Sequence, residues 1–184
     1  MQPDLPRPWS DFLADLDRLL PEPVQLHCLG GFVLIACYKI PRPTADIDCV
    51  AVVPQRQLET LLRLAGPESP LAKKLKIYFQ YSAATPLPDH YDARLIELFP
   101  GRFKNLRLFA LDPYDLILSK LHRNSEKDRH DVGYLAKTLA LDPGVLRERY
   151  QQELRPYVLG RSEWHDQTLA MWIEAYFFGS KPPN

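Results

Sequence analysis

Residues 45–53, Ala-Asp-Ile-Asp-Cys-Val-Ala-Val-Val, constrain the fold more than any other segment. Ile47, Val50, Val52 and Val53 supply the β-branched apolar content of a buried strand. A strand of that kind calls for a sheet with helices over it. The same segment carries two charges. Side chains alternate along a strand, so Asp46 and Asp48 project from one face, about 7 Å apart along it. Two carboxylates held that close repel each other unless a cation or a proton intervenes.

The flanking segments supply the rest of the sheet. Val24 to Leu29 reads as a strand running into Gly30-Gly31, followed by a short apolar helix from Phe32 to Tyr38. A helix precedes them, from Trp9 or Ser10 to Leu20. In it Trp9, Phe12, Leu13, Leu16, Leu19 and Leu20 recur at helical spacing and Asp11, Asp15 and Asp17 mostly face water. Arg56 to Leu64 reads as a helix, Leu75 to Tyr81 as a strand and Leu106 to Ala110 as another. Residues near Ala93 to Phe99 form a weaker helical piece or strand. From Asp112 the pattern is helical, over 113–123, 127–140, 143–152 and 166–178. The expectation is an α/β (α+β) fold: a small mixed sheet flanked by helices over residues 1–110, with a helical C-terminal region, 111–184, packed on it.

Charge and cysteine content narrow the function classes. Lysine plus arginine equals aspartate plus glutamate, 23 against 23, so a general polyanion binder is not expected and any polynucleotide contact must come from a local patch. Cys28, Cys37 and Cys49 lack paired zinc-site spacing and lie in apolar surroundings. They read as buried free thiols suited to a reducing cytoplasm. The N-terminus lacks a signal-like segment and no apolar run approaches about 18 residues, so neither secretion nor membrane insertion is expected.

Chemistry concentrates in two places. Gly30-Gly31 stands at a strand-to-helix turn, where a missing side chain lets backbone N–H groups approach phosphate. Asp46 and Asp48 offer the hard oxygen ligands that Mg²⁺ uses when phosphates complete its shell. The second place is helical. Leu116, Ile117 and Leu121 define an apolar arc that includes Lys120; Val132, Leu135 and Leu139 define another, with Asp128 inside it and Asp131 at its edge. Charges on buried faces predict a polar cleft between this region and the sheet. Two plainer readings stand beside that one: Asp128 as the partner of Ser125 in a capping box, and Lys120 in a structural salt bridge to Asp128 or Asp131.

Other features read as structural. Arg102, Lys104 and Arg107 form a basic strip best explained as a solvated face, with an RNA backbone as the alternative contact. His27, His90, His122, His130 and His165 have no metal-ligand spacing, and His27 reads as packed within its strand. Trp164, Trp172, Tyr176 and Phe177 read as core around the last helix, with docking of a protein partner as the competing role.

Gly30-Gly31 followed by Arg42-Pro43-Thr44-Ala45-Asp46-Ile47-Asp48 resembles the signature of DNA polymerase beta-like nucleotidyltransferases. More narrowly it resembles their bacterial abortive-infection branch, which includes toxins of type IV toxin–antitoxin pairs. Residues 111–121, Leu-Asp-Pro-Tyr-Asp-Leu-Ile-Leu-Ser-Lys-Leu, then Arg123 and Lys127-Asp128-Arg129-His130-Asp131, are similar to the downstream motifs of the same group. A small uncharacterised family within it is the nearest in likeness. The resemblance implies transfer of a nucleoside monophosphate from a nucleoside triphosphate to an RNA or protein hydroxyl, with an antitoxin as a possible partner. It implies that Asp46 and Asp48 hold Mg²⁺ or Mn²⁺, and that Gly30, Gly31, Arg42, Thr44, Lys120 and Arg123 bind the nucleotide. Asp128 or Asp131 would orient Lys120 or assist proton removal. One departure is visible. Active members usually carry a third carboxylate on a neighbouring strand, where this chain offers Gln80, with Asp92 and Glu97 as substitutes; a catalytically quiet binding module is the alternative function.

Overall fold

In the computed structural model, which describes residues 5–178, the chain divides into two units. The described residues up to Thr85, together with Leu95–Leu111, form the first; Pro86–Arg94 and the residues from Asp112 on form the second.

The first unit opens with α1 (Trp9–Leu19), which buries Trp9, Phe12, Leu13 and Leu16. That spacing is one helical face, and the Trp9 ring meets Phe32 at 5.1 Å between centroids. Two expectations fail here. Leu19 is 52% exposed, because the backbone turns extended at Leu20 and Leu20 takes the inward position. Asp17 does not simply face water. Its carboxylate accepts the N–H groups of Lys104 (3.1 Å), Asn105 (2.7 Å) and Leu106 (2.8 Å), where the chain enters its last strand.

β1 (Val24–Leu29) leads into α2 (Gly30–Tyr38), then β2 (Asp46–Val53), α3 (Leu58–Ala65), α4 (Pro70–Leu75), β3 (Tyr78–Tyr81), β4 (Ile96–Leu98) and β5 (Leu106–Ala110). The strands form one mixed sheet in the order β3-β2-β1-β5-β4. β1 runs antiparallel to β2 and parallel to β5; β2 runs parallel to β3, and β4 antiparallel to β5. Leu26, Phe32, Ile47, Leu61, Phe79 and Leu108 are almost wholly buried in this core. α2 starts at Gly30, two residues before the expected Phe32, and α4 stands where no element is expected. Its signals are nonetheless present: Ser69 Oγ accepts the Ala72 N–H at 3.0 Å, and Pro70 stands at the first helical position. By taking residues as far as Leu75, α4 shortens the following strand to Tyr78–Tyr81. Among the thiols, Cys28 and Cys49 are buried with their Sγ atoms 3.4 Å apart, while Cys37 is half-buried.

The second unit contains α5 (Pro113–Leu118), α6 (Glu126–Leu139), α7 (Pro143–Arg149) and α8 (Ser162–Trp172). α7 runs on through a π-helical turn at Tyr150–Leu154, and α8 through another at Ile173–Phe177. The expected helix over 113–123 stops at Leu118, leaving Lys120 in a turn. Ser119 Oγ donates to the Leu116 carbonyl at 2.7 Å, a local bond that competes with helix continuation.

The segment Pro86–Arg94 is held to its own unit by Arg94. That guanidinium donates to Asp115 at 3.1 and 3.2 Å and to Glu153 at 2.7 and 3.2 Å. Arg149 adds bonds of 2.8 Å to Asp112 and 3.0 Å to Asp115. Asp115 is fully buried, and two arginines supply the pairing that a buried charge requires. Trp172 is fully buried, as expected, but Trp164 is 47% exposed. His165, Thr168, Leu169 and Trp172 form the inward stripe of α8, which leaves Trp164 on its outer side. No helix among the described residues is long and apolar enough to cross a membrane.

Candidate active site

The antiparallel pairing of β1 and β2 closes the fourteen-residue gap between the glycines and the aspartates. Leu29 is in register with Asp48, so the glycine turn that follows β1 lies against that aspartate. Gly30 has φ +71°, and a Cβ built on it would stand 2.4 Å from Asp48 Oδ2. Glycine is required there twice over, for the backbone conformation and for the space the carboxylate occupies. A Cβ on Gly31 would stand 2.7 Å from Thr44 Oγ1 and 3.1 Å from Arg42 Nη1. The Thr44 hydroxyl donates to Asp46 Oδ1. Gly30, Gly31, Arg42, Thr44, Asp46 and Asp48 therefore form one cluster. Arg42, Thr44, Asp46 and Asp48 are all half-buried, with Ile47 buried between the aspartates.

Electrostatics at this cluster oppose one another usefully. α2 begins at Gly30, so the positive end of its helix dipole lies at this cluster, where a carboxylate or a phosphate is stabilised. Cys49 lies next in the strand but is no candidate ligand. Burial, the contact with Cys28 and the Asp48 charge push its thiol well up, so it stays protonated. The donor set is thus hard oxygen: two carboxylates and a neighbouring hydroxyl. That set fits a divalent cation of the Mg²⁺ or Mn²⁺ type whose remaining ligands come from phosphate. Among the described residues no group of three or more His, Cys, Asp and Glu side chains is arranged to hold a metal alone.

Register locates the departure. In the parallel β2–β3 pair, Asp46 faces Tyr78 and Asp48 faces Gln80, so the neighbouring strand presents an amide opposite the second aspartate. Glu97 does not substitute. It lies on β4, three strands from β2 and roughly 14 Å away by strand spacing, and it accepts two bonds from Arg107. Asp92 belongs to the second unit, in the short 3₁₀ turn Tyr91–Arg94.

The second unit brings together the other expected residues. Lys120, 3% exposed, donates from Nζ to Asp131 Oδ2 at 2.8 Å and to Asp128 Oδ1 at 3.4 Å. Asp128 also accepts from Arg123 Nη2 (2.6 Å) and Nε (2.7 Å) and from the Ser125 hydroxyl (2.7 Å) and N–H (3.1 Å). Ser125 Oγ in turn accepts the Asp128 N–H at 3.2 Å, which completes a capping box. Both plainer contacts are therefore present. Burial alone would raise the Asp128 carboxyl, but Arg123, Ser125 and the Lys120 charge outweigh it and hold the group well below the ordinary carboxylate range. A carboxylate so held keeps its negative charge and is a weak proton acceptor; its chemistry is to fix two cations. Burial with the Arg123 charge lowers the nearby His122 imidazole, despite a 3.1 Å bond to the Ser119 carbonyl.

Several polar residues escaped the sequence reading. The Arg94–Asp115–Glu153 and Arg149–Asp112 bridges join residues up to 59 positions apart, and no local pattern announces them. Asn124, with φ +44°, accepts Trp172 Nε1 at 3.1 Å and, through its carbonyl, Arg129 Nη1 at 2.7 Å. An Asn between two charged stretches was the available signal for that left-handed turn.

No curated protein and no solved structure matched the chain. Residues 12–176, which include both clusters, match the family described as "Nucleotidyltransferase of unknown function (DUF6036)", and the chain belongs to that family.

Proposed function

We propose that the protein is a metal-dependent nucleotidyltransferase that moves a nucleoside monophosphate from a nucleoside triphosphate to an RNA or protein hydroxyl. The observation that carries this reading is the close approach of Asp48 to Gly30, which sets a carboxylate against a glycine turn at a helix N-terminus. In the reaction the acceptor oxygen forms a bond to the α-phosphorus. The bond from that phosphorus to the bridging oxygen breaks, pyrophosphate leaves, and the hydroxyl proton is released.

Asp46 and Asp48 would hold Mg²⁺ or Mn²⁺, which when bound neutralises charge developing on the phosphates. The amides of Gly30 and Gly31 would receive the triphosphate, and a Cβ at these positions would collide with Asp48 or with Thr44 and Arg42. Thr44 holds the Asp46 carboxylate in orientation through its hydroxyl. Arg123, whose side chain stays exposed, would contact phosphate, and the buried Lys120, Asp128 and Asp131 would position it. A toxin role in a type IV pair, with an antitoxin partner and a cytoplasmic site of action, extends the same proposal and is tested by growth arrest on expression in a bacterial host.

A labelling experiment tests the core of the reading. Purified protein, Mg²⁺ and each α-phosphate-labelled nucleoside triphosphate are incubated with total RNA and with cell protein. Label transferred by wild type and absent with Asp46→Ala/Asp48→Ala is the expected result; equal labelling by the variant overturns it. Gln80, opposite Asp48, favours one second reading, a quiet module that binds a nucleotide or a protein partner without transfer. Metal-dependent nucleotide binding without labelling of any acceptor would favour that reading.

A further inference from the structure

The second unit carries a groove of 460 Å³ along the outer side of α6 and the turn after α8. Its chemistry belongs to neither cluster described above. Glu126, Arg129, His130, Tyr134 and Lys137 line it from α6, and Tyr176 lines it from the π-helical turn. Their spacing explains the shape. Residues 126, 130, 134 and 137 recur every three or four positions, so they form one outward stripe running opposite the buried Asp128, Val132 and Leu135.

Gly133 sets the groove wall. A Cβ at that position would stand 3.2 Å from Tyr176 Cδ1, so glycine lets the tyrosine ring lie close against the helix. Arg129 is fixed at the rim, its Nη1 bonded to the Asn124 carbonyl at 2.7 Å. Asn124 is itself tied to the buried Trp172 at 3.1 Å. The last residue of α8, four before Tyr176, and the arginine are thus linked through one asparagine. A guanidinium has five N–H donors, and the Asn124 bonds engage only Nη1.

We propose that this groove binds a single-stranded polynucleotide. Two half-buried tyrosines and the His130 ring supply flat aromatic surface, and Arg129 and Lys137 supply two cations for phosphate against the single carboxylate of Glu126. Stacking on aromatic rings with backbone contacts from basic side chains is how single strands are held without base-edge readout. A peptide with acidic groups would use the cations but would leave the rings without a planar partner. Two cations against one carboxylate give this groove a local positive excess that the neutral total hides. As a site for the acceptor strand, the groove rests on the transferase reading; as a binding site it stands alone.

The test is fluorescence anisotropy with a 5′-labelled 12-nucleotide single strand of mixed sequence, as RNA and as DNA, with the same sequence as a duplex for comparison. Neither nucleoside triphosphate nor divalent metal is added, so the result is independent of transfer. Wild type is expected to bind single strands more tightly than duplex, and whichever of RNA and DNA binds more tightly identifies the sugar. Tyr176→Ala is expected to weaken binding about tenfold, within the range for losing one stacking platform. Tyr176→Phe keeps the ring and should bind as wild type.

Lys137→Ala, an exposed change that leaves the fold intact, should lower the salt dependence of binding by about 0.7 in log–log slope. Arg102→Ala/Lys104→Ala, in the first unit, should bind as wild type. The proposal is overturned if wild type fails to bind single strands, prefers duplex, or binds unchanged when Lys137 is replaced. It is equally overturned if the Arg102/Lys104 variant abolishes binding. Failure here would leave the labelling result untouched, and failure of labelling would leave this binding untouched.

Discussion

Asp46 and Asp48 stand two apart on a strand, half-buried, beside a glycine turn and a threonine hydroxyl. Asp128 and Asp131 stand three apart on a helix, fully buried, with Lys120 across both and Arg123 and Ser125 on the first. Each pair faces the same problem of like charge at close range. In the helical unit the protein supplies fixed cations and hydrogen-bond donors, and the carboxylates are locked into the fold. On the strand the two carboxylates are half-buried next to a helix N-terminus, a setting suited to a cation brought in with phosphate. The helical pair holds structure, and the proposed function gives the chemistry to the strand pair.

Substitution should separate the two pairs. The largest effect is on activity: Asp46→Ala/Asp48→Ala is expected to lower transfer by about a thousandfold or more, on the scale of losing groups that stabilise developing charge. Its melting temperature should stay close to wild type. Asp128→Ala should do the reverse of sparing stability, because Lys120 and Arg123 lose a buried partner and the capping box is lost. The expected cost is about 3–5 kcal/mol, or a Tm lower by roughly 6–20 °C, read by calorimetry.

Acid titration sharpens the same contrast. The folded Asp128 carboxyl lies below its unfolded value, so its contribution is fully present above about pH 4 and is lost as pH falls toward the folded value. Urea midpoints measured from pH 6 to pH 3 should therefore fall for wild type, and should fall less steeply for Asp128→Asn. Equal slopes would deny Asp128 its locked state.

Two smaller effects probe the strand cluster. Gly30→Ala meets both a positive φ and the Asp48 carboxylate, so a loss of about 1–3 kcal/mol is expected, with weaker triphosphate binding. Unchanged binding would remove the glycine turn from the site. Gln80→Asp places a third carboxylate opposite Asp48. Without metal it should destabilise by roughly 0.5 kcal/mol through like-charge repulsion across the strands, and with Mn²⁺ it should bind the ion more tightly than wild type. A variant with unaltered metal affinity would mean that position 80 does not face the ion.

Much of the strand cluster was legible in the sequence because its parts are local or adjacent. The period of a strand puts Asp46 and Asp48 on one face, and a glycine pair before an apolar helix marks a turn. Closure of the cluster was not legible. It depends on the register of β1 against β2, a long-range pairing that no short window contains. The helix α4 was readable from Ser69-Pro70, yet six residues give too little periodicity to announce it.

Errors elsewhere share one cause. Spacing places Leu19 inward and Asp17 outward, and aromatic character places Trp164 in the core, but a chain turn, a loop needing an acceptor and the inward stripe of α8 decide them. The Arg94 and Arg149 bridges lie beyond any local signal, since charged residues look solvated until a distant partner is known. By contrast Lys120 was detectable as a charge on an apolar arc, and its partners lie within eleven residues.

Calorimetric titration of the protein with each nucleoside triphosphate, with and without Mg²⁺, tests the central claim most directly when wild type is compared with Asp46→Ala/Asp48→Ala. Binding of at least one triphosphate that requires Mg²⁺ and disappears in the equally stable variant is the predicted result. Binding that ignores Mg²⁺, or that survives loss of both aspartates, would contradict the account.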